Sequence, residues 1–290
     1  MIVMSGKLGV VRRVSVVVVL AALLGLAGCA KPQAAPDGRL RVVAAFYPLQ
    51  FVAERVGGDR VSVTNLTNAG AEPHDLELRP SQLAQLEDAD LVVYLKGFQP
   101  AVDEAIGLAR KERVFDVASA EPLRDNDPHV WLDPVRLAGI ARQVADRLAP
   151  ADPAARQRAD ELIGELARLD TEFRHGLAEC ARKDVVTSHE AFGYLTARYG
   201  LTQVPVTGLN PDEDPGPQQV RDVARIARDR GVTTVFFESL VSPKLAETVA
   251  REVGARAAVL DPIEGVEGGD TYFTVMRADL AALRTALACA

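Results

Sequence analysis

The sequence predicts an α/β protein made of two lobes, each with a mainly parallel sheet flanked by helices, joined by one long helix. Three observations carry this. Short apolar runs rich in β-branched residues alternate with helical stretches through both halves, the order that parallel sheets with helical crossovers require. Asp152-Pro153 opens a run to about Ala181 with no further proline, in which Ala159, Leu162, Ile163, Leu166, Leu169, Phe173 and Leu177 fall on one helical face. The chain has 4 histidines in 290 residues, and His74, His129 and His189 each stand where a strand is expected to pass into a loop.

At the start of the chain, Lys7, Arg12 and Arg13 precede an apolar run over 14–26 that ends in Leu26-Ala27-Gly28-Cys29. The run is shorter than the roughly 20 apolar residues that span a bilayer, so residues 1–28 read as a secretory signal. Its ending resembles the bacterial lipobox, in which the cysteine becomes the lipidated N-terminus. The expected protein is therefore extracytoplasmic and anchored to the cell membrane through Cys29, with residues 29–38 as a flexible tether. Hydrophobic residues make up 48%, charged residues 25%, and the formal net charge is -7. A mildly acidic chain with few aromatics argues against a nucleic-acid partner. Beyond Cys29 there are Cys180 and Cys289, which are either a disulfide or two small core residues; an oxidising compartment favours the disulfide.

The first lobe, 39–150, has expected strands at 40–45, 61–66, 91–95 and 114–117, with helical stretches between them. A turn-rich loop after the second strand ends in Glu72-Pro73-His74. After the fourth comes Asp127-Pro128-His129-Val130-Trp131-Leu132-Asp133-Pro134, where Asp133 reads as an N-cap and Pro134 as the first helical residue. Both His74 and His129 follow a proline, which holds their approach extended. Both lie at the carboxyl ends of strands, where ligands of such sheets collect. The linker helix, 151–181, would reach about 45 Å at roughly 1.5 Å per residue. His175 lies off its apolar stripe and reads as surface.

In the second lobe, 182–290, a buried strand from Asp184 ends at Ser188-His189-Glu190, and later strands at 203–207, 233–237 and 255–260 follow. Glu190 should face away from His189, since side chains alternate along an extended segment. Glu238 ends one strand and Asp261-Pro262 follows the last. Glu72 and Glu238 are candidate partners for an imidazole N–H; Glu238 reads equally as a helix-start charge. His74, His129, His189 and Asp261 would give a closed tetrahedral set, which suits zinc better than the oxygen-preferring manganese or calcium. There is no Gly-rich phosphate loop, no HExxH helix and no Ser nucleophile elbow.

Four stretches in order carry a wider resemblance: Ala71-Glu72-Pro73-His74, the segment Asp127 to Pro134, Thr187-Ser188-His189-Glu190-Ala191-Phe192 with Tyr194, and Phe237-Glu238 followed by Leu260-Asp261-Pro262. The chain resembles the zinc- and manganese-binding lipoproteins that feed ABC-type metal importers. That resemblance implies two α/β lobes on one rigid helix with limited closure, and metal between them on His74, His129, His189 and Asp261. It further implies an extracytoplasmic, monomeric, non-enzymatic solute-binding protein that delivers zinc to a membrane permease. Manganese members typically carry a glutamate at the third position, so His189 favours zinc, with manganese as the alternative cargo. The segment 121–127 is too short for the His- and Asp-rich loop of many zinc members. Rival readings are a surface zinc hydrolase using Glu190 or Glu238 as base, and an adhesin in which zinc is only structural.

Overall fold

The computed structural model describes residues 38–290 apart from 212, 214 and 267; the expected signal, Cys29 and the tether to residue 37 lie outside the described residues. In the first half, β1 (Leu40–Ala44), β2 (Val61–Asn65), β3 (Leu91–Tyr94) and β4 (Val114–Asp116) form an all-parallel sheet in the order β2-β1-β3-β4. Helices α1 (Tyr47–Gly57), α2 (Pro80–Asp88) and α3 (Pro100–Ala105) make the crossovers. In the second half, β5 (Asp184–Thr187), β6 (Thr202–Pro205), β7 (Thr234–Phe237) and β8 (Arg256–Val259) repeat the pattern as β6-β5-β7-β8, again all parallel. Helices α6 (Gly193–Arg198), α7 (Pro217–Asp229), α8 (Lys244–Val253) and α9 (Tyr272–Leu287) complete this half.

Local chemistry explains where the helices start. α2, α3, α4 (Pro134–Leu148) and α7 each open on a proline, whose missing N–H falls where no intrahelical bond would form. At α4 the expected cap is present: the Asp133 side chain accepts from Val135 N at 2.9 Å. α1 stops at Gly58, which takes a left-handed φ of 52°.

The helix between the lobes, α5 (Ala155–Gly176), has 22 residues, fewer than the run from Asp152 to Ala181 allows. Asp152 folds back on the chain, its carboxylate accepting from Ala154 N, so the first turn starts later. At the far end Gly176 and Leu177 break the helix, and Cys180 pairs with Cys289 in a disulfide. At roughly 1.5 Å per residue the helix is about 33 Å long. Its first half meets the first lobe: Arg158 donates to the Val56 and Gly57 carbonyls, and Glu165 pairs with Arg55 at 2.7 Å. Its second half meets the second lobe through Asp170 with Arg198 and Tyr199, and through Glu172 with Arg277. Leu162, Leu166, Leu169 and Phe173 are fully buried along it.

One hydrophobic core therefore runs through both lobes, from Val42 and Val93 by way of Trp131 and Leu166 to Phe236 and Tyr272. A smaller cluster around Val186, Val206 and Val235 fills the space between the second sheet and α7 and α8. In each sheet the chain crosses to opposite sides of the first strand, β1 or β5, creating a crevice at the carboxyl ends. Among the described residues no helix is long and apolar enough to cross a membrane.

Leu166→Ala, at a site with 0% exposure, should cost about 2–5 kcal/mol of unfolding free energy in a urea titration. Gln157→Ala on the exposed face should stay within about 0.5 kcal/mol.

Candidate metal centre

Four of the loops that leave the strands' carboxyl ends each deliver one polar side chain to the same point. His74 follows β2, His129 follows β4, His189 follows β5, and Glu264 follows β8. One donor atom from each lies within 4.8 Å of all the others. Glu264 Oε1 stands 3.4 Å from His74 Nε2, 3.2 Å from His129 Nε2 and 3.9 Å from His189 Nε2; the last two nitrogens are 3.5 Å apart. A tetrahedral zinc ion with bonds of about 2.0–2.1 Å needs donor separations of about 3.3 Å, close to these values.

The three histidines expected from the sequence are brought together; Asp261 is not. Its Oδ1 accepts from Ile263 N at 2.7 Å, its Oδ2 accepts from Ser239 Oγ, and its own N–H donates to Asp279 Oδ1 at 2.9 Å. This is an Asx turn, which consumes the carboxylate. The following Ile263 is fully buried with φ 60°, a left-handed conformation that is strained for a β-branched residue. The reversed chain then carries Glu264 to the imidazoles, so the pocket carboxylate is Glu264 and not Asp261. The one sequence signal for this was Asp-Pro itself, a turn-forming pair that puts a longer acid beyond the turn.

The rings are held from behind. His189 Nδ1 is hydrogen-bonded to Glu238, whose Oε1 also accepts from Ser188 Oγ at 2.6 Å. His129 Nδ1 lies 2.7 Å from Asp127 Oδ1, which also accepts from His129 N at 2.9 Å. Such contacts hold the proton on Nδ1 and turn Nε2 inward. Asp127 was missed in the sequence, although an acid directly before a Pro-His pair is a local signal for it. Glu72 accepts from the His74 backbone at 3.1 Å and does not reach the ring, which packs edge-on to Phe98. His175 is exposed on α5, and Glu190 also faces solvent.

His129, His189 and Glu264 are essentially inaccessible, and the His74 side chain is 9% exposed. Burial alone would lower the His129 pKa, but hydrogen bonds to Asp127 and Glu264 outweigh it and push it up to about 9. Burial would raise Glu264, yet His129 and His74 beside it hold it well below the usual carboxylate range. Burial, with the neighbouring Glu264 charge, pushes Glu72 up to about 9. Several buried atoms nevertheless have no hydrogen-bond partner among the described residues: His74 Nε2, Glu264 Oε2 and Glu238 Oε2. Three imidazoles, an ionised carboxylate and unpartnered donor atoms make a pocket suited to a small dication.

Two such lobes closing on one buried pocket define a two-lobed binding protein. The chain matches the ZnuA family, described as "Zinc-uptake complex component A periplasmic", over residues 42–286, and it belongs to that family. It is 29% identical over 304 residues to the zinc-binding lipoprotein AdcA of Streptococcus pneumoniae serotype 4, an alignment covering 94% of this chain and 60% of that protein. The high-affinity zinc uptake system protein ZnuA of Bacillus subtilis is 30% identical over 280 residues, covering 86% of this chain and 88% of that one. The solved Zn(II)-bound ZnuA-like domain of Streptococcus pneumoniae AdcA superimposes with a TM-score of 0.73 at 31% identity, covering 86% of this chain and 99% of that one. The chain thus spans only about three-fifths of the AdcA proteins' length.

The pocket pair sets a pH dependence for the metal-free protein. With a folded pKa of about 9 against roughly 6.5 unfolded, His129 contributes stability that is full below about pH 6.5 and lost as pH rises through 9. Urea unfolding of metal-free wild type and His129→Gln should show a stability difference that shrinks between pH 6 and pH 9.5. Parallel pH profiles would contradict the pairing.

Proposed function

We propose that this chain is the extracytoplasmic solute-binding component of an ABC metal importer, capturing zinc between its two lobes and delivering it to a membrane permease. The observation that carries this reading is the convergence of His74, His129, His189 and Glu264 on one buried point with donor atoms left unpartnered. Three nitrogens and one oxygen at tetrahedral spacing match zinc; manganese, the alternative cargo, prefers more oxygens. The names of the relatives, a zinc-binding lipoprotein and a zinc uptake protein, support the same reading.

The chemistry favours cargo over catalysis. Four protein donors leave no position for a reacting water, and a hydrolase needs one together with a free base. Glu238, one candidate base, is already committed to His189 and Ser188. It also favours cargo over a structural ion, because the His129–Glu264 contact supplies internal compensation when the pocket is unloaded. Membrane attachment through Cys29, a monomeric state and the permease partner complete the proposal.

A competitive titration with a chromophoric zinc chelator tests it. One tight site per chain is expected; Glu264→Gln should weaken it by more than roughly 100-fold, the upper end of what outer partners of ligands contribute. Asp261→Asn should cost less than roughly 10-fold, and His175→Ala nothing. Equal losses in Glu264→Gln and His175→Ala would sink the site.

Zinc must also displace the proton that His129 holds up to about pH 9, so acidification weakens binding. Calorimetry at pH 7.5 in buffers of different ionisation enthalpy should register proton release on binding. An enthalpy independent of the buffer would contradict the ligand role of His129.

A further inference from the structure

The loop that carries His129 is held by the opposite lobe. Asp125 and Asn126 both take left-handed φ, 52° and 62°, and Asp127 N donates back to Arg124 O at 2.8 Å, so a tight turn points Asp127 inward. Against this turn stands the start of α6. The Tyr194 hydroxyl accepts from Arg124 N at 2.8 Å and donates to the Asp127 carbonyl at 3.1 Å. Arg124 Nη2 donates to the Gly193 carbonyl at 2.9 Å. The buried Tyr194 ring packs against two guanidinium groups, the Arg124 carbon 4.7 Å and the Arg136 carbon 4.9 Å from its centroid. At Gly193 a Cβ would stand 2.7 Å from Asp127 Oδ2, so only glycine lets that carboxylate lie where it meets the His129 ring.

We propose that Gly193 and Tyr194 form an inter-lobe latch whose work is to orient Asp127 and, through it, His129. They are positioning residues: neither touches the metal pocket directly. The hydrogen bonds run from the second lobe to the backbone on both sides of the turn, at Arg124 and Asp127, so the turn cannot rotate while the lobes are together. Parting the lobes breaks these contacts and frees Asp127 to leave the Nδ1 side of His129. The imidazole then loses the partner that aims Nε2 inward. Lobe separation and loss of one metal donor thereby become a single event, which gives a route to release without acid. The inference rests on the zinc-binding reading and adds the residues that govern how long the ion stays.

The test uses the chain truncated before Cys29, with zinc alone as ligand, comparing dissociation rates of wild type, Tyr194→Phe, Asp127→Ala and the double variant. Tyr194→Phe keeps the ring against the two arginines and removes both hydroxyl bonds, so it should stay folded. It should release zinc roughly 10-fold to 100-fold faster, as outer-shell partners do. In the Asp127→Ala background the same substitution should add less than about twofold, because the residue through which it acts is gone. A metal-free readout accompanies this: the His129 Nδ1 proton resonance should broaden in Tyr194→Phe relative to wild type. Gly193→Ala should lose more zinc affinity than Tyr194→Phe; should it fail to fold, the hydroxyl series still decides. Unchanged release in Tyr194→Phe, or effects that simply add to those of Asp127→Ala, would overturn the latch while wild type still binds zinc. If wild type shows no tight zinc site, the functional reading fails first, and the latch with it.

Discussion

The indole of Trp131 holds the two halves of the pocket at a set distance. Its Nε1–H donates to the Pro262 carbonyl at 2.6 Å, and its own carbonyl accepts from the Tyr272 hydroxyl at 2.7 Å. Trp131 lies two residues beyond His129, and Pro262 two before Glu264, so this pair of bonds sets the separation of the first lobe's imidazole from the second lobe's carboxylate. The ring itself is fully buried and packs against Phe46 and Phe98, which also touch each other. Its N–H is the one polar handle that must find a partner there, and it finds it across the lobes. α5, packed on both sides, and the continuous core brace that bond while the lobes are together.

The pocket spends stability on function. Taking carboxylates and imidazoles out of water costs several kcal/mol per ion before pairing. Asp127, Glu238 and Glu264 offset part of this by pairing with the rings. Each atom left unpartnered still costs about 1–3 kcal/mol, and the left-handed Ile263 adds a similar amount. A dication that satisfies these atoms at once is therefore bound by a protein already shaped for it, and loading raises stability by mass action.

Much of this was legible in the amino-acid order because it follows from local rules. Alternating strands and helices read correctly, and Asp133-Pro134 announced α4 through its cap. The three histidines could be picked out because each ends a strand or its loop, where crevices form. The fourth position could not: whether Asp261 or Glu264 reaches the imidazoles depends on a β-branched residue accepting a left-handed φ, a choice made by packing and invisible to propensity. Asp127 stands two residues from the ring it holds, a local contact that the apolar patterning does not mark. Tyr194 escaped for another reason: its role arises where residues 67 apart meet across the lobes, and no periodicity reports on that. The helix α5 was over-read at both ends: at its start Asp152 holds a turn of its own, and at its end the apolar stripe runs on to Leu177, past the last helical residue.

X-ray absorption at the zinc edge of the loaded protein would read the donor set of the pocket itself. Four nitrogen and oxygen neighbours are expected at about 2.0–2.1 Å, with the outer scattering of three imidazole rings and no bound water. A five- or six-coordinate, oxygen-rich site, or one with a single imidazole, would contradict it.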